Sequence, residues 1–154
     1  MLIATHVAVG AVVAQNSPTA FWAFVLGFIS HLLIDMIPHG DAHLYKEYKS
    51  GKKMKQALAK VSFDALAAVM LVAWIFAYVP NVNATIIAWG LVGSVLPDLL
   101  VGLCELYKHP WLEAFHRVHF WFHNYFVDRK KDMSLKHGFV MQAFLLAILV
   151  KVIV

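Results

Sequence analysis

Apolar runs separated by short polar breaks make up most of the chain, and their lengths set the elements it can form. The first run predicts a helix near residues 2–14, closed by Asn16, Ser17 and Pro18, which suit a tight polar turn. It is short for a full membrane span. The second, Phe21 to Ile37, is stopped by Pro38 and Gly40 and is just long enough to cross a bilayer at about 1.5 Å per residue. A polar stretch from His39 to Lys55 follows, with Gly51 as a helix break. Two longer runs, Gln56 to Val79 and Ala84 to Leu106, are joined through Pro80 and the Asn81 to Asn83 turn and predict an antiparallel hairpin. Trp111 to Phe126, rich in aromatics and histidine, reads as a helix lying at the membrane interface or against the bundle. A last apolar run spans Gly138 to Val154.

The pattern therefore predicts an all-α fold: a polytopic membrane bundle of four to five hydrophobic helices plus one interfacial helix, in a single domain over residues 1–154. Composition agrees. Hydrophobic residues make up 61% of the chain and charged ones 14%, with a mean hydropathy of +0.69, too apolar for the surface of a water-soluble domain. The lone Cys104 cannot form an internal disulfide and argues against a thiolate metal site. The opening residues lack the basic stretch of a secretory signal and carry His6, so they are expected to stay in the mature protein.

Charge adds an orientation. Lys46, Lys49, Lys52, Lys53 and Lys55 crowd the second-to-third connection, while the Asn16 to Thr19 and Asn81 to Asn83 turns carry none. Such clustering is a topology signal rather than a nucleic-acid signal, so no nucleic-acid partner is expected. It puts the Lys-rich loop and the N-terminus on the cytoplasmic side of a plasma membrane, prokaryotic inner membrane included, with Lys108, Arg117 and the Arg129 to Lys131 run on the same side.

Ionisable groups in hydrocarbon cost several kcal/mol unless paired, wetted or coordinated, which makes each one a functional candidate. Counted from the outer helix ends at about 1.5 Å per residue, His31 lies about 18 Å deep, Asp98 about 21 Å, Asp35 and Asp64 about 24 Å, and His6 about 14 Å. Separate helices thus bring imidazole or carboxylate to one zone. His31 and Asp35, four residues apart, share a helix face and can offer two donors to one ion. Asp98 follows Pro97, which can kink the helix and turn the carboxylate inward. Imidazole with carboxylate suits zinc first, with manganese or iron as alternatives, better than a hard calcium or magnesium cage.

Further candidates surround this core. His39, Asp41 and His43 in the stretch Pro38 to His43 could close over the site, and His116, His119 and His123 fall on one face of the aromatic segment, where they could bind a phosphate or a second ion. Plainer readings stand beside these. His31 and Asp35 could be a hydrogen-bonded packing pair, Asp64 could pair with Lys60, Asp98 could reach the headgroups, and the three histidines could belong to an interfacial aromatic belt. His109 and His137 read as loop residues, and Gln142 as a polar contact to a neighbouring helix.

Thr5-His6, the stretch Ser30-His31-Leu32-Leu33-Ile34-Asp35 and Leu96-Pro97-Asp98 together resemble the inner-membrane metal-dependent hydrolase family, which is more distantly similar to zinc-dependent phospholipase C-like proteins. The resemblance implies that His6, His31, Asp35 and Asp98 are metal ligands. The function to expect is then a membrane-embedded metal-dependent hydrolase acting on a phosphoester or ester of a lipid-like substrate from the cytoplasmic leaflet, with Asp64 or Asp41 as general base. The alternatives are a non-enzymatic metal-binding or ion-transport bundle, and a structural protein with a buried polar site. Conduction is disfavoured by the nearly wholly apolar outer halves, Phe21 to Gly27 and Ala68 to Phe76.

Overall fold

A computed structural model describes residues 1–40, 48, 50–51, 54–80 and 83–154 of the chain. Asp41 and His43, and most of the Lys-rich loop, lie outside the described residues. The described residues form helices joined by turns, with no strand among them. In chain order these are α1 (Ile3–Gln15), α2 (Ala20–Asp35), α3 (Met54–Tyr78), α4 (Ala84–Leu106), α5 (Pro110–Asn124), the single turn α6 (Val127–Lys130) and α7 (Leu135–Ile153).

Local chemistry sets the boundaries. Thr19 caps α2 by accepting from the Trp22 amide, and Asn83 caps α4 by accepting from Thr85 and Ile86. The second helix stops at Asp35, two residues before the apolar run ends, in keeping with the bias against helix just ahead of Pro38. His109 lies in the connection before α5, as expected, and is its N-cap, ahead of Pro110 in the first turn. His137 is not a loop residue: it lies in the first turn of α7, where it meets the capping Ser134 hydroxyl at 2.7 Å. The last helix begins three residues earlier than its apolar run because Ser134 starts it.

The short first helix is the centre of the bundle. α1 packs against α2, α3, α4 and α7, and Ala4, Thr5, His6, Val7, Ala8, Gly10, Ala11 and Ala14 are buried. Small side chains on every face permit this, since each neighbouring helix can come close. Backbone approaches of this kind recur between α1, α2 and α4. A Cβ on Gly27 would stand 2.6 Å from the Gly90 carbonyl oxygen, and one on Gly93 would run into the Phe24 carbonyl. Among the described residues, α2 and α4 form the most extensive helix pair.

Being central, α1 starts inside the protein, and its first amides need partners there. They have them. The Leu2 amide donates to Gln142 Oε1 of α7 at 2.7 Å, and those of Ile3 and Ala4 donate to the two oxygens of Asp64 of α3 at 2.6 and 3.2 Å. The Thr5 amide closes on the Leu2 carbonyl at 3.0 Å. Asp64 is therefore the cap of a helix to which it does not belong, its charge at the positive end of the α1 dipole.

Three helices, α3, α4 and α7, are long and apolar enough to cross a membrane. α1 and α2 are shorter apolar helices. The outward faces of α3 and α7 carry large apolar side chains, with Phe63 73% and Phe144 70% exposed, where a water-soluble bundle would carry charge.

Asp64→Ala should cost about 2–6 kcal/mol, because it strands two amides inside the bundle at roughly 1–3 kcal/mol each. Asp64→Asn, which keeps one acceptor oxygen, should cost less. Unfolding of the detergent-purified protein, followed by circular dichroism, checks the order; equal stability of all three proteins would contradict the capping role.

Candidate metal centre

The C-terminal end of α2, the region after Pro97 in α4, and one face of α5 meet beside the buried start of α1. Four side chains converge there: His31 and Asp35 from α2, Asp98 from α4 and His119 from α5, each offering one ligand atom, all within 4.8 Å of one another. His31 Nε2 stands 3.2 Å from Asp35 Oδ2 and 3.6 Å from Asp98 Oδ1; His119 Nε2 stands 3.7 and 3.9 Å from the same two oxygens. Neighbouring ligands around a tetrahedral ion with bonds of about 2.0–2.1 Å lie about 3.3 Å apart. The four imidazole-to-carboxylate separations, 3.2 to 3.9 Å, lie close to that value.

Two of the atoms that would bind an ion lack hydrogen-bond partners. His31 Nε2 and Asp35 Oδ2 are buried and make no hydrogen bond, although they are close to each other. Their separation is right for a hydrogen bond and their direction is not, as expected for lone pairs aimed at a third point. The other ring nitrogen of His31 is already fixed: a carbonyl can only accept, so Nδ1 carries the proton and donates to the Ser94 oxygen at 2.7 Å. This is the outer-shell contact that orients a ligating histidine and leaves Nε2 bare. Pro97 helps to build it, since its missing N–H interrupts the α4 ladder at the Gly93 carbonyl, next to Ser94.

Burial does the rest. His31 and Asp35 are almost fully buried and His119 nearly so, while Asp98 is 29% exposed, leaving the group open on the Asp98 side. Burial also pushes the His119 imidazole down to about 4, outweighing the opposite pull of Asp35 and Asp98. His119 is thus neutral at pH 7, the form in which an imidazole binds a metal. Phe28 and Phe115, with ring centres 6.0 Å apart, pack α2 against α5 beside the site.

The remaining sequence candidates fall around this group in distinct ways. His6 is buried and stacks on His31 with ring centres 3.7 Å apart and planes 16° from parallel. Its Nε2 lies 3.1 Å from Asp35 Oδ1, the oxygen that also receives the Met1 amine at 2.6 Å, so His6 sits behind the four-group cluster rather than within it. Asp64 is 2.6 and 3.2 Å from the α1 amides it caps, and Lys60 plays no part in that contact. His116 lies against Phe120, with ring centres 4.5 Å apart, and belongs to neither histidine group. His39, just beyond α2, meets His123 of α5, their Nε2 atoms 3.2 Å apart. Gln142, besides accepting from Leu2, donates to the His39 carbonyl at 3.3 Å.

His119 was the member hardest to rank from sequence, where it stood among three histidines on one face. Its signal was the four-residue step to His123, the same step that separates His31 from Asp35 and Asp35 from His39. No family model, no curated protein and no solved structure matches the chain.

The bonds to the Ser94 and Ile37 carbonyls require both His31 and His39 to carry the proton on Nδ1. Two-bond nitrogen–proton correlation spectra of protein labelled at histidine, taken on a metal-depleted sample at neutral pH, should show this tautomer for both rings. Nε2-protonated neutral rings at either position would contradict the arrangement.

Proposed function

We propose that this protein is a membrane-embedded metal-dependent hydrolase whose ion is held by His31, Asp35, Asp98 and His119. The observation that carries the reading is the pair of buried, unsatisfied atoms His31 Nε2 and Asp35 Oδ2, with a second carboxylate and a second imidazole close by. Two imidazoles and two carboxylates suit zinc, with manganese and iron as alternatives. A divalent ion there supplies a Lewis acid that polarises an ester and lowers the pKa of water.

The protein's own groups would do the rest. Ser94 and Asp35 hold His31 in register; Asp98, the most exposed of the four, borders the side from which a substrate enters. Asp64 has both oxygens committed to α1 amides, so we assign it no proton-transfer role. The substrate class we favour is a phosphoester or ester of a lipid-like molecule, because the site lies among helices whose outer faces are apolar. The end of the bundle with the site is also the end with Lys55, Lys108 and Arg129, which by the positive-inside rule supports a cytoplasmic position at the inner or plasma membrane.

A metal-binding bundle without turnover uses the same four residues, whereas an ion path needs polar groups at several depths. The far ends of the helices, with Phe21, Trp22, Met70 and Phe76 exposed, are apolar and do not provide one.

Protein purified without added metal should contain zinc, manganese or iron and should cleave bis(p-nitrophenyl) phosphate or a long-chain p-nitrophenyl ester in a chelator-sensitive manner. His31→Ala and Asp98→Ala should weaken metal binding by at least about 100-fold, more than loss of an outer-shell contact typically does. His137→Ala, outside the site, should leave both properties unchanged. Metal content that is indifferent to His31 and Asp98 would overturn the centre; metal bound normally with no turnover on either ester class would leave the non-enzymatic bundle.

A further inference from the structure

Asp35 belongs to two groups at once. Besides the four-residue cluster, one of its carboxylate oxygens lies with a nitrogen of His39 and one of His123 in a set whose ligand atoms are all within 4.8 Å of one another. The sequence spacing explains how. His31, Asp35 and His39 follow one another at four-residue steps along and just past α2, and His119 and His123 do the same on α5. Two facing elements thus present matched rungs one helical turn apart, about 5–6 Å, with Asp35 between them. The His119 and His123 rings are 6.0 Å apart, in agreement.

His39 Nδ1 meets the Ile37 carbonyl at 2.5 Å and His123 Nδ1 faces Asn124 Oδ1 at 3.3 Å, so each ring is held through Nδ1 and turns Nε2 toward the other. The two Nε2 atoms lie 3.2 Å apart. Ligands 3.2 Å apart on an ion with bonds of about 2.0–2.1 Å subtend about 100°, close to the tetrahedral angle.

The site has a supporting shell as well. The Gln142 amide holds the His39 carbonyl, and Gly138 of α7 has no Cβ because one there would run into that same carbonyl. The Gly40 amide, with φ of +85° at that residue, donates to Asp132 Oδ1 at 2.9 Å. The turn that carries His39 is thus fastened to α7 and to the segment before it.

We infer that the protein binds a second divalent transition ion, at His39 and His123, and that the Asp35 carboxylate bridges it to the ion of the four-residue cluster. This rests on the metal reading of that cluster and deepens it: a two-ion centre could hold both the attacking and the leaving oxygen of an in-line phosphoester displacement, which favours the phosphoester among the substrate classes proposed.

Chelator-treated protein, loaded with Zn(II) and freed of excess by gel filtration, tests the inference by elemental analysis. Two zinc ions per chain are expected in the parent and one in His39→Gln and in His123→Gln, either of which suffices provided its circular dichroism matches the parent. One ion in the parent that survives both substitutions but is lost in His119→Gln would overturn the second site and leave the first standing. One ion kept in His119→Gln and lost in His123→Gln would overturn the four-residue cluster and the paired centre with it, and no bound zinc would overturn both. With Mn(II), ions sharing a carboxylate give a spin-coupled paramagnetic resonance spectrum in the parent, and two uncoupled signals would overturn the bridge.

Discussion

A helix that begins inside an apolar bundle must find partners for its first amide N–H groups, because neither lipid nor packed side chains can supply them. Here that helix is α1, and its requirement reaches into the rest of the structure. Asp64 of α3 and Gln142 of α7 are drawn to its start, which accounts for a buried polar residue in each of these two helices. Each is worth its desolvation only where it sits. With their amide partners, they hold two outer helices against α1, although α3 and α7 make few contacts elsewhere.

From this junction the polar connections continue to the candidate centre. Gln142 accepts from Leu2 with one end of its amide and donates to the His39 carbonyl with the other, so the same side chain serves the start of α1 and the turn after α2. His6, one turn into α1, stacks on His31 and reaches Asp35. On the opposite flank, Gly27, Gly90 and Gly93 let α2 and α4 approach backbone to backbone, which brings the Ser94 carbonyl to His31 and Asp98 to the far side of the cluster. Small residues at helix contacts and ionisable residues one or two turns further along therefore belong to one arrangement.

Much of this was legible in the sequence, and the exceptions have physical causes. Helix number, order and approximate ends followed from apolar run length, and the shared depth of His31, Asp35, Asp98 and Asp64 followed from counting residues at a fixed rise. Depth does not specify direction around a helix axis, however. Asp64 lies at the right level yet faces the amides of α1, and no periodicity in α3 could reveal that its partner would be backbone. His6 is beside the cluster at the right level too, but ring stacking on His31 turns it to the other oxygen of Asp35. His119 was obscured for the opposite reason: an amphipathic aromatic helix with three histidines on one face looks the same whether that face meets headgroups or protein. Its packing on α2 and α4 decides the matter, and only the fold shows it.

The choice between a hydrogen-bonded pair and an ion at His31 and Asp35 turns on counting protons. With Nδ1–H given to Ser94, a neutral His31 has no proton on Nε2 to donate to Asp35. An imidazolium could donate from Nε2, but the direction to Asp35 Oδ2 is wrong for that bond. It would also leave His119, kept neutral by burial, with its Nε2 3.7 and 3.9 Å from the Asp35 and Asp98 oxygens, too far for a hydrogen bond. One further proton thus satisfies at most one edge of the cluster. A divalent cation among the four atoms would accept from all of them at once, and would add to the Met1 ammonium in offsetting two carboxylates, one of them buried at the C-terminal end of α2 where the helix dipole is itself unfavourable. Between a further proton and a metal ion, only the ion would use all four atoms gathered here, which is what supports the proposed centre.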